Sequence, residues 1–227
     1  TKKAAIIDSV LDYALHSAKV STDYADEIVR EVEKEGLKVE WILETHVHAD
    51  HVTASAYLKK KLPGSKTAIS DRIVEVQTKW AEIFEWNDFD CSGAQWDKLI
   101  SSQTVLEIGE LKLTALPTPG HTPACTTFVV GDSLFTGDAI FQPDFGTARC
   151  DFPGGSPEDL FDSIRSTLYT LPDDYRIFVG HDYPPATRTV TFLTNIAAEK
   201  ASNKFLTAST SKQDFVTARS TRDSQLD

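Results

Sequence analysis

Residues 45–51 read Thr45-His46-Val47-His48-Ala49-Asp50-His51, with four candidate metal ligands between His46 and His51. On their N-terminal side Val39–Thr45 is rich in branched and aromatic residues and predicts a buried strand. On their C-terminal side Val52–Leu62 predicts a helix, with three consecutive lysines near its end and Pro63-Gly64 as the breaker. In an extended stretch residues two apart point the same way, so His46 and His48 can face one point. Asp50 and His51 then lie at the turn into the helix and face a neighbouring point. Such a set serves one metal ion or two.

Three further strand ends carry the same residue types. Pro117-Thr118-Pro119-Gly120-His121-Thr122 follows the predicted strand Leu111–Leu116, and its prolines and glycine make a rigid turn that fixes where His121 projects. Gly137-Asp138 follows Ser133–Phe135, and Gly180-His181-Asp182-Tyr183 follows Arg176–Val179. Each alone is weak, since a lone loop histidine or strand-end aspartate has ordinary structural uses. Together they take five of the six histidines into three short motifs, with His16 left outside. Histidines placed only for packing would not cluster this way.

The rest of the pattern alternates strands and helices. Lys3–Val10 and Thr67–Ser70 predict strands, and so does Thr126–Val130, joined to Ser133–Phe135 by a Gly131-Asp132 turn. Asp23 is placed to cap a helix with Ala25, Ile28, Val29 and Val32 on its inner face and Gly36 at its end. Further helices are expected from Asp71, over Pro157–Tyr169, and over Val190–Ala201 and Gln213–Leu226, with an irregular insertion over Ala81–Ser102. The hairpin excludes a wholly parallel sheet. No repeat or linker interrupts residues 1–227, which reads as a single α/β (α+β) domain.

Composition narrows the function. The chain has 227 residues, of which 41% are hydrophobic and 25% charged, the balance of a globular protein. Its net charge of −11 argues against a nucleic-acid partner, which calls for clustered cations. No window reaches the ~18 consecutive apolar residues of a membrane helix, and the apolar run that ends at Asp8 is too short for a secretory signal. The chain lacks Met, so some N-terminal sequence is expected to be missing or processed. Cys91, Cys125 and Cys150 form no CxxC pair and cannot all pair with one another, which favours a reducing, intracellular compartment. Cys125 is expected in the core. Cys150 adjoins Arg149, whose guanidinium would lower the thiol's pKa.

The constellation HxHxDH, then H, D and H, resembles the metallo-β-lactamase superfamily. The resemblance implies an αββα sandwich of two mixed β-sheets flanked by helices, with metal along one edge. The family usually has another strand or two before Ala4–Asp8, which would fit an N-terminally trimmed chain. Phe145-Gly146-Thr147-Ala148-Arg149-Cys150-Asp151-Phe152 and Gly180-His181-Asp182-Tyr183 resemble the persulfide dioxygenase, or sulfur dioxygenase, branch. Pro184-Pro185 and the aromatic-rich insertion resemble its bacterial members, often described as β-lactamase-like hydrolases.

That branch implies one Fe(II) per chain held by His46, His121 and Asp138, with His48, Asp50, His51 and His181 supporting from outside. Two imidazoles and one carboxylate leave cis positions open on iron, as a reaction joining a sulfur substrate and O2 needs. The substrate implied is glutathione persulfide, oxidised to glutathione and sulfite in the cytoplasm, or in mitochondria of a eukaryote. Arg149 and Tyr183 match the branch's substrate-binding residues, and Lys204 falls near a further basic one. The structural reading of Arg149 is a salt bridge to Asp151 or another acid, and substrate binding is favoured over it. The alternative is a glyoxalase II-like hydrolase, in which His48, Asp50, His51 and His181 complete sites for two Zn ions bridged by Asp138 and the substrate is a thioester or lactone. The sequence also allows a homodimer.

Overall fold

The computed structural model describes residues 2–102 and 104–226; Thr1, Gln103 and Asp227 lie outside. Its strands are β1 (Lys3–Ile7), β2 (Val10–Ala14), β3 (Lys19–Ser21), β4 (Lys38–Leu43), β5 (Val52–Thr53), β6 (Lys66–Ser70) and β7 (Lys98–Ile100). They continue with β8 (Val105–Ile108), β9 (Leu111–Pro117), β10 (Thr126–Val130), β11 (Ser133–Phe135), β12 (Arg176–Phe178) and β13 (Leu193–Asn195). The helices are α1 (Asp23–Lys34), α2 (Ser55–Lys61), α3 (Ile73–Ile83), α4 (Pro157–Ser166), α5 (Ile196–Ser202) and α6 (Lys212–Asp223), with a 3-10 turn over Leu168–Thr170.

One sheet runs β1-β4-β6-β7, with every pairing parallel. The larger runs β13-β12-β11-β10-β9-β8 and is the mixed one, because β11 and β12 pair in parallel while the other pairs are antiparallel. A small sheet, β3-β2-β5, lies beside them.

Alternation along the strands builds four layers. In β4, Leu43 faces Leu106, Leu113 and Phe128 of the larger sheet, while Ile42 faces Ala25, Val32 and Leu58 of α1 and α2. Across the larger sheet, Leu134 and Ile177 pack on Leu160, Ile164, Ile196 and Phe215 of α4, α5 and α6. The order is helix, sheet, sheet, helix. A strand covered on both faces must be apolar on both, which is why Trp41-Ile42-Leu43 reads as a continuous run.

Several expected boundaries shift. Lys3–Val10 is not one strand: it breaks at Asp8, whose φ is +52°, because the Asp8 carboxylate turns toward Thr45. Helix α1 is preceded by Thr22, so Asp23 is its first residue and not its cap. Val52–Thr53 pairs with β2, and α2 begins only at Ser55, since the Thr53 and Ser55 hydroxyls are both held by buried Glu44. The insertion over Ala81–Ser102 includes the end of α3 and the edge strand β7. Leu193–Asn195 is strand, and α5 starts only after Asn195, whose side chain accepts from the Ala198 N–H. The β2–β3 hairpin and β8 are additions to the sequence reading.

The sheets set the site. Strands β1, β4, β9, β11 and β12 deliver Asp8, His46, His121, Asp138 and His181 from their C-terminal ends to one edge of the sandwich.

Candidate metal centre

His46, His121 and Asp138 are all buried, and each offers a ligand atom within 4.8 Å of the others. Asp138 Oδ2 lies 3.8 Å from His46 Nε2 and 3.7 Å from His121 Nε2. Both rings are fixed from behind. The Thr45 hydroxyl donates to Asp8 Oδ2 at 2.8 Å, so its lone pair accepts from His46 Nδ1 at 2.9 Å. His121 Nδ1 donates to the Arg149 carbonyl at 2.7 Å. Each ring is thereby held as the tautomer whose Nε2 lone pair faces Asp138, the arrangement metal-binding histidines adopt.

His46 Nε2 is buried and has no hydrogen-bond partner among the described residues, and the same holds for His48 Nδ1 and His51 Nε2. An unpaired buried polar atom costs about 1–3 kcal/mol. Burial also lowers the His46 pKa well below its ordinary value, with the neighbouring imidazoles adding to this, and burial raises that of Asp138. The neutral His46 imidazole, the His121 Nε2 and a carboxylate that lacks solvation are a donor set a divalent cation would satisfy. The residues fit a metal.

The remaining candidates form a second group. His48 Nε2 contacts Glu44 Oε2 at 3.1 Å and Asp8 Oδ1 at 3.4 Å. His46 and His48 therefore lie side by side, ring centroids 4.1 Å apart, without both Nε2 atoms facing one point. Burial opposes protonation of His48, but its hydrogen bonds with Asp8 and Glu44 outweigh that and raise its pKa to about 10. His48, Asp50 and His51 bring ligand atoms within 4.8 Å of one another. Asp50 contacts His51 Nδ1 and His181 Nε2, each at 3.2 Å, and the His51 hydrogen bond holds its carboxyl well below the usual range. His181 Nε2 also lies 3.7 Å from Asp138 Oδ1, so the two Asp138 oxygens face different groups of histidines.

Arg149, Tyr183 and Lys204 line one cavity of about 310 Å3 together with Asp50, His121 and Asp138. Arg149 makes a bidentate ion pair with Asp151 at 2.7 and 2.6 Å, and its guanidinium lies 4.9 Å from the Phe152 ring centre. Half-exposed Tyr183 stacks on His181 and tilts against Phe145. Cys150 corrects an expectation: burial pushes its thiol up despite the adjacent guanidinium. Cys125 is buried, and its thiol is pushed up to about 12.

Several positioning residues escaped the sequence reading. Asp8 and Thr45 orient His46. Arg219 donates to the Thr147 carbonyl and pairs with Asp223, which accepts from the Cys150 N–H. These bonds pin the strap whose Arg149 carbonyl holds His121. Gly137 has φ +50°, and a Cβ there would collide with the Thr45 hydroxyl, so glycine lets the Asp138 loop close on His46.

Residues 2–181 match the model of the metallo-β-lactamase superfamily. The chain belongs to this superfamily. This member is 44% identical to Glyoxylase B2 of Dictyostelium discoideum, over 100% of the chain and 78% of that protein. It is 45% identical to a beta-lactamase hydrolase-like protein of Xylella fastidiosa, over 100% of the chain and 52% of that protein, so it spans about half of that relative. It is 33% identical to the mitochondrial persulfide dioxygenase ETHE1 of Bos taurus, over 92% of the chain and 68% of that protein. The crystal structure of ETHE1 from Myxococcus xanthus superposes with a TM-score of 0.75 at 30% identity, covering 98% of this chain and 82% of that one. Relatives named for hydrolysis and for persulfide oxidation thus share this fold. No helix among the described residues is long and apolar enough to cross a membrane.

Proposed function

We propose that this superfamily member is a non-haem Fe(II) persulfide dioxygenase. Its reaction is glutathione persulfide plus O2 and water giving glutathione and sulfite. The observation that carries the reading is the enclosed His46–His121–Asp138 set, separate from His48, with Arg149, Tyr183 and Lys204 on the cavity that opens onto it. Two neutral imidazoles and one carboxylate are the facial donor set of oxygen-using iron enzymes. When bound, iron supplies the redox chemistry that joins O2 to sulfur, which is the cofactor's own contribution.

The chain's residues bind and orient. The Arg149 guanidinium presents a fork that matches a glutathione carboxylate, and Lys204 adds a second cation. The Tyr183 phenol donates a hydrogen bond to the peptide portion and shields His181 from bulk water. Asp50, kept ionised by His51, can accept a hydrogen bond from the water consumed in releasing sulfite and so orient it. Phe141, Phe145 and Phe152 line the cavity and keep it poor in water. The three free cysteines suit a reducing compartment, the cytoplasm or the mitochondrial matrix.

A second reading rests on Asp138, whose two oxygens face different histidine groups. With His48, Asp50, His51 and His181 engaged, the same edge would hold two zinc ions and serve a thioester or lactone hydrolase. Anaerobically iron-loaded protein mixed with glutathione persulfide and O2 tests the choice. Sulfite formation with O2 consumption supports the dioxygenase; S-lactoylglutathione cleavage by zinc-loaded protein, with no O2 uptake by the iron form, assigns the hydrolase.

A further inference from the structure

A second cavity, of about 500 Å3, also reaches the histidine cluster. His46, His48, His51 and His121 form part of its lining, and so do Trp80, Phe84, Trp86, Phe89 and Trp96. Four of these rings run in series, with centroids 5.4 Å apart for Trp80–Phe84, 5.0 Å for Phe84–Trp86 and 5.7 Å for Trp86–Phe89. The helix end and insertion that read as irregular in sequence thus build one aromatic wall. Glu44, the acid of this lining, is already held by Thr53, Ser55 and His48.

The two cavities divide the chemistry around one centre. Phe152 lines both and packs edge-on against His121 at 5.4 Å. On one side lie Arg149, Lys204, Arg219 and Arg222; on the other the lining carries no Lys or Arg. Phe84 and Trp86 are each 53% exposed at the aromatic wall. Neighbouring exposed apolar rings of this kind mark a binding surface, and the volume suits a small organic group.

We propose that this aromatic cavity binds an alkyl or aryl arm of the sulfur substrate, so that the enzyme accepts apolar persulfides as well as an anionic one. The identity of the sulfur group rests on the dioxygenase reading; the cavity and its apolar preference do not. The metal ligands in the lining place the reactive sulfur at one end of the arm, and the rings cover the rest. The lining has no Lys or Arg to pair with a carboxylate, and His48 Nε2 is already taken by Asp8 and Glu44, which directs a glutathione moiety to the Arg149 side.

Three of the four tryptophans line the cavity, so intrinsic fluorescence reads its occupancy. Metal-loaded protein, kept oxygen-free, is titrated with hexane-1-thiol and separately with reduced glutathione. The expected result is a saturable change in tryptophan emission with hexane-1-thiol, weakened about tenfold or more in Trp86→Ala, the usual scale for truncating an aromatic anchor. In O2-uptake kinetics the same variant raises KM for hexyl persulfide more than for glutathione persulfide. No saturable response to hexane-1-thiol, or an equal KM change for both persulfides, overturns the proposal. A response that disappears as the protein self-associates assigns the aromatic wall to a second copy of the chain and also overturns it. If neither persulfide supports O2 uptake, the dioxygenase reading fails while the fluorescence titration still decides the cavity.

Discussion

Thr45→Val tests whether the metal site depends on the relay behind His46. Valine nearly keeps the shape of threonine, so the wall against the Gly137 loop stays filled. The hydroxyl is lost, and with it the 2.8 Å bond to Asp8 and the 2.9 Å bond that orients His46 Nδ1. The backbone bond from Thr45 N to Asp8 Oδ1, 2.7 Å, survives and keeps Asp8 in place. His46 then has a buried N–H with no acceptor, a cost of about 1–3 kcal/mol. The ring can escape that cost by moving its proton to Nε2, which removes the lone pair offered to the metal. Either route penalises the bound form, and outer hydrogen bonds of this kind are worth about 10- to 100-fold in metal affinity. That corresponds to about 1.4–2.8 kcal/mol. The assay is chelator competition for Fe(II) under anaerobic conditions, with urea midpoints of the metal-free proteins as the folding control. Thr45→Ser keeps a hydroxyl and is expected to stay close to the parent. A Thr45→Val protein with parental affinity would refute the relay.

Other substitutions probe the periphery. Arg149→Ala is expected to raise KM for glutathione persulfide about tenfold, the low end for a charge-assisted contact because Arg149 must leave Asp151, with metal content unchanged; unaltered kinetics would confine the residue to its ion pair. Buried Glu199 has its pKa pushed up to about 7 by burial, so the folded state holds its proton more tightly than the unfolded chain does. Its contribution to stability is present in full below about pH 4.5 and is lost as pH rises through 7, on the order of 3 kcal/mol in all; Glu199→Gln should flatten urea midpoints across that window, and an unchanged slope would refute the assignment. At pH 8 a maleimide should label partly exposed Cys91 while buried Cys125 and Cys150 stay protected until denaturation, and mass spectrometry of the labelled chain checks this.

The candidate donors that the fold brings together were legible because they stand in compact motifs at strand ends, so adjacency and turn chemistry expose them. Leu111–Leu116 and Thr126–Phe135 were equally plain, since β9, β10 and β11 are consecutive antiparallel strands and the last two are joined by the Gly131-Asp132 turn. What escaped depends on distant pairs. Asp8 reaches Thr45 across 37 positions and Arg219 reaches Thr147 across 72. Nothing local distinguishes such an aspartate or arginine from a solvated surface charge. The divergence of His48 from His46 had the same origin, because Glu44 and Asp8 claim its Nε2 only once β1 and β4 lie side by side. Helix starts moved for a related reason: at Ser55 and Ile196 they are set by hydroxyl and amide contacts as much as by apolar periodicity.

The central claim, that one iron held by His46, His121 and Asp138 oxidises a persulfide, meets its most direct test in the stoichiometry of a single vessel. O2 consumed and sulfite formed are followed together, on glutathione persulfide, for iron-loaded and zinc-loaded protein of known metal content. The account predicts one O2 per sulfite with iron and neither change with zinc, whose lack of accessible redox chemistry leaves it only a Lewis acid. Sulfite release without O2 uptake, or equal turnover by the zinc form, would contradict it.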